Sequence, residues 1–302
     1  MREKKILFIH ALTSLHPGSG TALGVVDLPV QRERHTQWPL IPGSSLKGIL
    51  RDCCRAKLEA PPGKADEDET LCAVFGPPTT SSSEHAGALG ITDARILAFP
   101  VRSLKGVFAW VTCPEVLKRF HRDVGLATEE KVPDFSNLEF DGKTALVASD
   151  SPLRLDDDKL ILEEFDFDSK PGSEAIANWL AERVTADIPT QESISKRLVI
   201  LRDDDFTYFV RHATEVVARV GLDYETKTVK QGALFYEEFL PPETIFYSLL
   251  FADDSRRRRN GTPIMTASAI MDFVRSNLGR VIQIGGDETI GKGLCAVRIE
   301  SL

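Results

Sequence analysis

Residues His16–Arg51 read HPGSGTALGVVDLPVQRERHTQWPLIPGSSLKGILR, and this stretch decides how the rest of the chain is interpreted. It begins with glycines at positions 18, 20 and 24, passes a lone carboxylate at Asp27, and then reaches a basic cluster at residues 32–35. Glycines let backbone amides approach a phosphate closely, and cations neutralise its charge. Because the acid lies between these two groups, where a bound phosphodiester could react, the pattern outlines an RNA-handling site.

The end of this stretch predicts an α-helix whose first turn is capped by a serine, either Ser44 or Ser45. The apolar side chains that follow recur at helical spacing. Lys47, Arg51 and Arg55 follow at i, i+4 and i+8 and form a cationic stripe on another face. The free amides at the helix N-terminus favour an anion there, which agrees with contact to a nucleic-acid backbone.

The overall charge argues against an RNA partner, but its distribution does not. The 302-residue chain has a formal net charge of −8. Residues 28–57 nevertheless contain six cations and two acids, whereas residues 150–168 contain eight acids and two cations. Local field governs binding, and whole-chain charge bears mainly on solubility, so RNA remains a candidate partner.

The rest of the chain predicts an α+β protein, because short strand and helix patterns alternate with turn-rich segments. One expected helix is capped by Asp203–Asp205, and its apolar face continues to Val220. The acidic segment at about 127–170 has weak periodicity and is interpreted as an insertion. No apolar run has the ~18 residues of a membrane span, and the first residues do not resemble a signal peptide. The five cysteines lack the spacing of a zinc site or a disulfide framework, which favours a reducing cytoplasm.

Two further motifs each allow two interpretations. Gly286–Gly293 nearly matches a nucleotide P-loop, but no Ser or Thr follows Lys292 and the next residues read as a strand. ATP binding is therefore disfavoured, and the segment is either a hairpin that contacts a nucleic-acid backbone or a plain turn. The run Arg256–Arg259 is either a phosphate contact or a solvated loop.

Asp27 also allows two interpretations, since an acid inside an apolar run is often a capping or hydrogen-bonded aspartate. Its neighbours favour chemistry. RNA cleavage through 2′-hydroxyl attack needs one group that assists deprotonation and another that assists the leaving oxygen. The phosphorane also needs cations or a metal. Asp27, with His16 and the arginines on the same segment, could supply these groups, although the sequence does not assign their roles.

Several motifs together resemble a known family. They are HPGSGT (16–21), GVVDLPVQRERHT (24–36), GSSLKG (43–48), FGPP (75–78), FPVRSLKG (99–106), YEE (236–238) and IGGDETIGKG (284–293). They extend in order over nearly the whole chain. On these motifs the chain resembles the backbone (fourth) subunits of type III-B CRISPR effectors, the Cmr complexes, within the RAMP superfamily.

The resemblance implies a ferredoxin-like (RRM-like) core with insertions, as a single RNA-binding domain over residues 1–302. It implies a protruding β-hairpin thumb, for which residues 221–239 are the candidate, that wedges into the guide–target duplex and displaces a base pair at regular intervals. The implied partners are guide RNA, complementary target RNA, further copies of the chain in a helical stack and other Cmr subunits, without a membrane.

By the same resemblance, the aspartate that cuts target RNA beside each displaced nucleotide falls on Asp27. The implied reaction uses a divalent metal ion, Mg²⁺ or Mn²⁺, with Asp27 as the candidate ligand, and leaves a cyclic phosphate and a 5′-hydroxyl. His16 and Glu237 match positions that could assist. The expected RNA-binding residues are Gly18, Ser19, Gly20, Arg32, Arg34, Ser45, Lys47, Arg51, Gly291 and Lys292. The alternative is a purely structural RNA-binding scaffold, with the nuclease elsewhere in the complex.

Overall fold

The computed structural model describes residues 2–22, 24–58, 64–81, 83–127, 133, 138 and 140–300. Its strands are β1 (Glu3–Ala11), β2 (Leu40–Ile41), β3 (Leu89–Ile91), β4 (Ala94–Arg102), β5 (Phe108–Thr112), β6 (Thr144–Val147), β7 (Lys159–Leu162), β8 (Phe165–Pro171), β9 (Leu198–Ile200), β10 (Glu215–Leu222), β11 (Val229–Phe239), β12 (Ile245–Ala252), β13 (Arg258–Arg259), β14 (Thr262–Pro263), β15 (Val281–Gln283) and β16 (Leu294–Glu300). Its α-helices are α1 (Gly43–Ala56), α2 (Glu69–Phe75), α3 (Pro114–Ala127), α4 (Glu174–Val184), α5 (Ile188–Arg197), α6 (Asp203–His212) and α7 (Ala267–Asn277).

The centre of the main sheet has the ferredoxin-like arrangement that the sequence predicts. Strands β16, β1, β12 and β4 are neighbours in that order, and each adjacent pair is antiparallel. Along the chain, α1 lies between β1 and β4, and α7 lies between β12 and β16, which gives the order β-α-β-β-α-β. The sheet continues beyond β4 through β5, β9, β6, β8 and β7, with parallel pairs β5–β9 and β6–β8. The fold is therefore α+β, with a mixed sheet.

Aromatic packing fixes one helical layer on this core. Phe8 of β1 and Tyr247 of β12 are register partners, so they share a face of the sheet. Phe120 of α3 contacts both rings, at centroid distances of 6.2 Å and 4.8 Å, and lies 5.6 Å from Trp179 of α4. Burial of four large side chains at one point anchors α3 and α4 on this face.

The predicted helix through Val220 is wrong beyond residue 212. Helix α6 ends at His212, and the chain then forms β10, which pairs with β11 in an antiparallel hairpin. The residues from Glu215 onward include several β-branched valines, which favour an extended strand once a partner strand is present. The hairpin thus begins at Glu215 rather than near residue 221, and its turn covers residues 223–228.

The acidic segment at about 127–170 lies partly outside the described residues. Its described portion contributes β6, β7 and the beginning of β8 to the main sheet. Within the described part of the chain, no helix is both long and apolar enough to cross a membrane. All five cysteines are free thiols.

Candidate functional site

The glycine-containing loop at residues 16–20 and the segment around Asp27 lie along one edge of β11. The other edge pairs with β10. Backbone groups of a strand alternate between its two edges, and those of Tyr236, Glu238 and Leu240 face the loop. Glu238 N–H donates to Leu28 O at 3.0 Å, and the Leu240 N–H donates to Leu15 O at 2.9 Å. Two segments distant in sequence are therefore aligned on one strand.

Asp27 is fixed at this edge through both its backbone and its side chain. Its Oδ2 accepts the Tyr236 N–H at 2.7 Å, and its own N–H donates to Tyr236 O at 3.1 Å. The residue is half-buried, and Oδ1 accepts no hydrogen bond from the described residues. One carboxylate oxygen orients the group, and the other remains available to a substrate.

His16 is anchored on the same edge, two residues further along β11. Its Nδ1 lies 2.7 Å from Glu238 O, and because a carbonyl only accepts, Nδ1 carries the proton. Its Nε2 then faces Glu237, at 3.6 Å from Oε1. Two strand residues span roughly 7 Å, so the anchoring points of Asp27 and His16 on β11 are about that far apart, and a phosphodiester group fits between them.

Glu237 belongs to a buried charge network that the sequence did not predict. Its Oε2 accepts from Arg219 Nη1 at 2.9 Å, and the same nitrogen lies 2.8 Å from Asp287 Oδ2. Burial, and next the neighbouring Asp287, raise the pKa of Glu237, while His16 and Arg219 oppose the change. Glu237 can therefore retain a proton at a pH at which an exposed glutamate has lost it.

Two glycines allow His16 to sit in this position. Gly285 has a φ of +82° and a Cβ there would lie 2.3 Å from His16 O, while a Cβ on Gly18 would lie 2.6 Å from His16 Nε2. Gly286 N–H also donates to His16 O at 3.0 Å. The glycine-containing loop at residues 16–20 and the glycine-rich turn at residues 284–293 thus meet at His16. Together with Pro42 and Ser45 at the start of α1, they line a cleft of about 310 Å³.

The basic cluster divides into a structural and an exposed arginine. Arg32 donates to Glu238 Oε1 at 2.6 Å and to the carbonyls of Gln37 and Val210, both at 2.9 Å. Its side chain is only 15% exposed. Arg32 was expected to contact the RNA backbone, but its guanidinium is bound to groups of the protein instead. Arg34 is exposed and remains a candidate RNA contact.

Helix α1 begins two or three residues earlier than the predicted serine cap allows, and that cap is wrong. Its first residue is Gly43, the preceding Pro42 offers no side-chain cap, and Asp93 Oδ1 accepts the Gly43 N–H at 2.7 Å. An anion does lie at this helix end, but the protein itself supplies it. Ser45 is exposed at the cleft.

The two α1 cations that we expected to bind RNA, Lys47 and Arg51, differ in availability. Lys47 uses one donor on Leu89 O at 3.2 Å, and an ammonium has three. Arg51 donates to the carbonyls of Gly76 and Asp66, which ties α1 to the chain around α2. Lys47 therefore retains capacity for a phosphate, whereas Arg51 contributes mainly structure and field.

The remaining predicted RNA contacts lie on exposed or partly engaged loops. Ser19 donates its hydroxyl to Pro29 O at 3.1 Å. Gly20 and Gly291 are exposed, with φ angles of +90° and +77°. Lys292 Nζ lies 3.2 Å from Ser14 Oγ and 5.0 Å from the centre of the Phe239 ring. These two contacts hold Lys292 at the base of the hairpin.

The residues that the structure describes do not by themselves form a metal site. Within the described ranges, no three His, Cys, Asp or Glu side chains are grouped so that they could hold a metal ion. The missed residues, Arg219 and Asp287, had weak signals. Arg219 lay in a segment predicted to be helical, and Asp287 lay in a turn that was compared with a P-loop; only pairing of β10 with β11 brings them together.

Comparisons with known proteins agree on one family. The profile of the RAMP superfamily matches residues 8–296. The chain is 40% identical over 300 residues to the CRISPR system Cmr endoribonuclease Cmr4 of Pyrococcus furiosus, covering 97% of this chain and 95% of that protein. It is 25% identical over 313 residues to the CRISPR system CMR subunit Cmr4 of Saccharolobus solfataricus, covering 97% and 96%.

Solved structures give the same result at the level of the fold. The crystal structure of oligomeric Cmr4 from Pyrococcus furiosus superposes with a TM-score of 0.74 at 31% identity, covering 100% of this chain and 99% of that one. A chain in the cryo-EM structure of the Type III-B Cmr-beta bound to cognate target RNA has a TM-score of 0.72 at 25% identity, with 98% and 96% coverage. The resemblance predicted from the motifs is confirmed: the chain belongs to the RAMP superfamily and, within it, to the Cmr4 family of type III-B CRISPR subunits.

Proposed function

We propose that this chain is the guide-RNA-binding backbone subunit of a type III-B CRISPR effector and cuts complementary target RNA at regular intervals. The observation that carries the proposal is the Asp27 carboxylate, which is fixed to β11 by one oxygen and open at the other. It lies on the strand edge that also holds His16, next to a cleft lined by glycines. The partners are guide RNA, target RNA, further copies of the chain and other Cmr subunits, and the protein acts in the cytoplasm.

The chemistry proposed for the site is attack of a target 2′-hydroxyl on the adjacent phosphorus. The new bond joins the 2′ oxygen to phosphorus, the bond to the 5′ oxygen breaks, and a cyclic phosphate and a 5′-hydroxyl result. Asp27 would orient the attacking hydroxyl and accept its proton. His16, in the form that is protonated on both ring nitrogens, would supply its Nε2 proton to the leaving oxygen and keep the Nδ1 proton on Glu238 O. Glu237 faces His16 Nε2 and would hold the ring in position.

A divalent cation, Mg²⁺ or Mn²⁺, is the proposed cofactor. Among the residues that the structure describes, Asp27 offers one open carboxylate, and no complete ligand set is grouped. Magnesium is commonly bound by one or two carboxylates together with substrate phosphates and water, so the RNA itself would complete the coordination. When bound, the cation would neutralise charge that develops on the phosphate.

The scaffold alternative also has an observation in its favour. The hydrogen bond from the Tyr236 N–H to Asp27 is what a purely structural aspartate would accept. In that case the loop only positions RNA, and another subunit cuts it.

The deciding experiment is target-RNA cleavage by the reconstituted complex with wild-type chain or Asp27→Asn. Asparagine retains an oxygen that accepts the Tyr236 N–H, so we expect intact assembly and loss of the regularly spaced cuts. Asp156→Asn, which removes the same charge from a fully exposed acid, is the matched control and should cut normally. Cleavage retained by Asp27→Asn would instead establish the scaffold alternative.

A further inference from the structure

Four consecutive arginines lie outside the site described above: Arg258 and Arg259 form β13 of the hairpin with β14, and Arg256 and Arg257 lead into it. The turn residues Asn260 and Gly261 have φ angles of 51° and 80°, as in the two-residue turns that join the strands of tight hairpins. The buried Ser255 closes the base of the hairpin, since its hydroxyl donates to Arg257 O at 2.9 Å and its N–H donates to Met265 O at 2.8 Å. The run is therefore displayed on a hydrogen-bonded hairpin rather than on a solvated loop.

Two of these arginines have no partner among the residues that the structure describes. Arg259 pairs with Glu69 of α2, and Arg258 donates to the carbonyl of the turn glycine at 3.0 Å. The guanidinium groups of Arg256 and Arg257 are exposed, and neither forms an ion pair or a hydrogen bond with the residues that the structure describes. Half of the charge on the hairpin is thus anchored, and the other half is free.

The free pair lies beside the cationic face of α1. Lys47 Nζ donates to Leu89 O. Asp253, in the segment that leads into the hairpin, donates its backbone N–H to the carbonyl of the neighbouring residue Ala88 at 3.3 Å. Helix α1 and the hairpin therefore converge on two adjacent residues at the start of β3, although about 200 residues separate them in sequence.

The positive charges of the two elements also act on one another. Burial lowers the pKa of Lys47, and the positive charges of Arg51 and Arg256 lower it further. Like charges that crowd together repel one another, and this cost is offset when an anion binds between them. In a chain of net charge −8, an unneutralised positive surface of this kind favours a polyanion.

We propose that Arg256 and Arg257 form, together with Lys47, one phosphate-binding surface for the guide-RNA strand. This surface continues the contact that begins at the cleft beside His16 and follows α1 away from the cleavage site. The inference rests on the proposed function, since it assumes that α1 faces guide RNA. It adds a contact from a distant part of the chain and resolves the ambiguity of the arginine run in favour of phosphate.

The test is binding of a labelled single-stranded RNA to the full chain over a salt titration. We expect Arg256→Gln with Arg257→Gln to bind about tenfold more weakly at low salt, because two charge-assisted contacts are lost. The slope of log K against log salt should fall by roughly 1.4, at about 0.7 for each phosphate contact to a single strand. The matched control is Arg275→Gln with Arg280→Gln, an equal charge change at exposed positions near the other end of α7, which should leave the slope unchanged.

Lys47→Gln separates failure of this inference from failure of the proposed function. If Lys47→Gln weakens binding and the arginine pair does not, the hairpin is not an RNA contact, while the guide-binding role of α1 stands. If neither change weakens binding, the guide-binding role itself is wrong. Loss of self-association in the arginine variant, with an unchanged salt slope, would overturn the inference and identify the hairpin as a protein interface. Thermal unfolding of each variant verifies that it is folded.

Discussion

At the scale of single residues, the basic cluster shows that residue type alone does not assign a role. Arg32 and Arg34 are two positions apart and equally cationic in sequence. Arg32 is inserted between the loop, α6 and β11, where Glu238 neutralises it. The Glu238 carboxylate also accepts the Val30 N–H at 3.0 Å. One buried ion pair therefore fixes the segment that presents Asp27, and the neighbouring arginine is left for solvent or RNA.

We predict that Arg32→Ala lowers the free energy of unfolding by about 3 kcal/mol, because it leaves the buried Glu238 carboxylate without its cation. Arg34→Ala, on the same loop but exposed, should change stability by no more than about 0.5 kcal/mol. Urea denaturation of the two variants measures both values. Equal and small effects would mean that the Arg32 ion pair does not hold the loop.

At the scale of elements, β11 is the organising strand of the site. One edge pairs with β10, and the other holds the loop that carries His16 and Asp27. Through Arg219, β10 is joined both to Glu237 of β11 and to Asp287 in the second glycine-rich turn. The base of the hairpin and the glycine turn are thus coupled through charges that only strand pairing brings together.

The raised pKa of Glu237 gives a pH dependence with a definite sign. At pH values above the ordinary glutamate pKa and below the raised one, the folded chain holds a proton that the unfolded chain has released, so stability falls as pH rises. Glu237→Gln removes this loss. We therefore expect the unfolding free energy of the variant, relative to wild type, to increase as pH rises above the ordinary glutamate pKa.

Glu33→Gln is the control of opposite sign. Burial alone would raise the pKa of Glu33, but hydrogen bonds from Arg119 and Thr36 outweigh it and lower the pKa. The stability that Glu33 contributes is present above its ordinary pKa and is lost as pH falls through the lowered one. Relative to wild type, the Glu33→Gln variant should therefore become less stable as pH rises from the lowered pKa to the ordinary one, with little further change well above pH 4.5. Urea denaturation at several pH values measures both trends, and parallel trends would refute the assignment.

At the scale of the whole molecule, the hairpin of β10 and β11 extends beyond the main sheet as a separate two-stranded sheet. Several of its apolar side chains are exposed, and at its turn Tyr224 is 87% exposed, with Lys227 Nζ 4.2 Å from the ring centre. A soluble monomer rarely leaves such a surface uncovered. The role of this hairpin as the thumb that displaces a base pair remains a prediction.

We predict that replacing the turn residues 223–228 by Asn-Gly separates cleavage from guide binding. A two-residue turn closes an antiparallel hairpin without disturbing its strands, and Leu222 already pairs with Val229. Guide-RNA affinity and thermal unfolding should stay as in wild type, whereas the regularly spaced cuts in target RNA should be lost in the reconstituted complex. Cuts of unchanged spacing and yield would show that the turn has no part in opening the duplex.

The sequence by itself determined the family, the α+β class, the start of α1 to within two or three residues, and the candidate aspartate. These features depend on local patterns: glycine and charge spacing, apolar periodicity and ordered motifs. Only the tertiary structure decided which cations are free, that residues 215–222 form a strand, and that Arg219 and Asp287 join Glu237. Each of these outcomes depends on contacts between residues far apart in the chain, and burial by such contacts sets whether an arginine binds a carboxylate of its own protein or remains available to RNA.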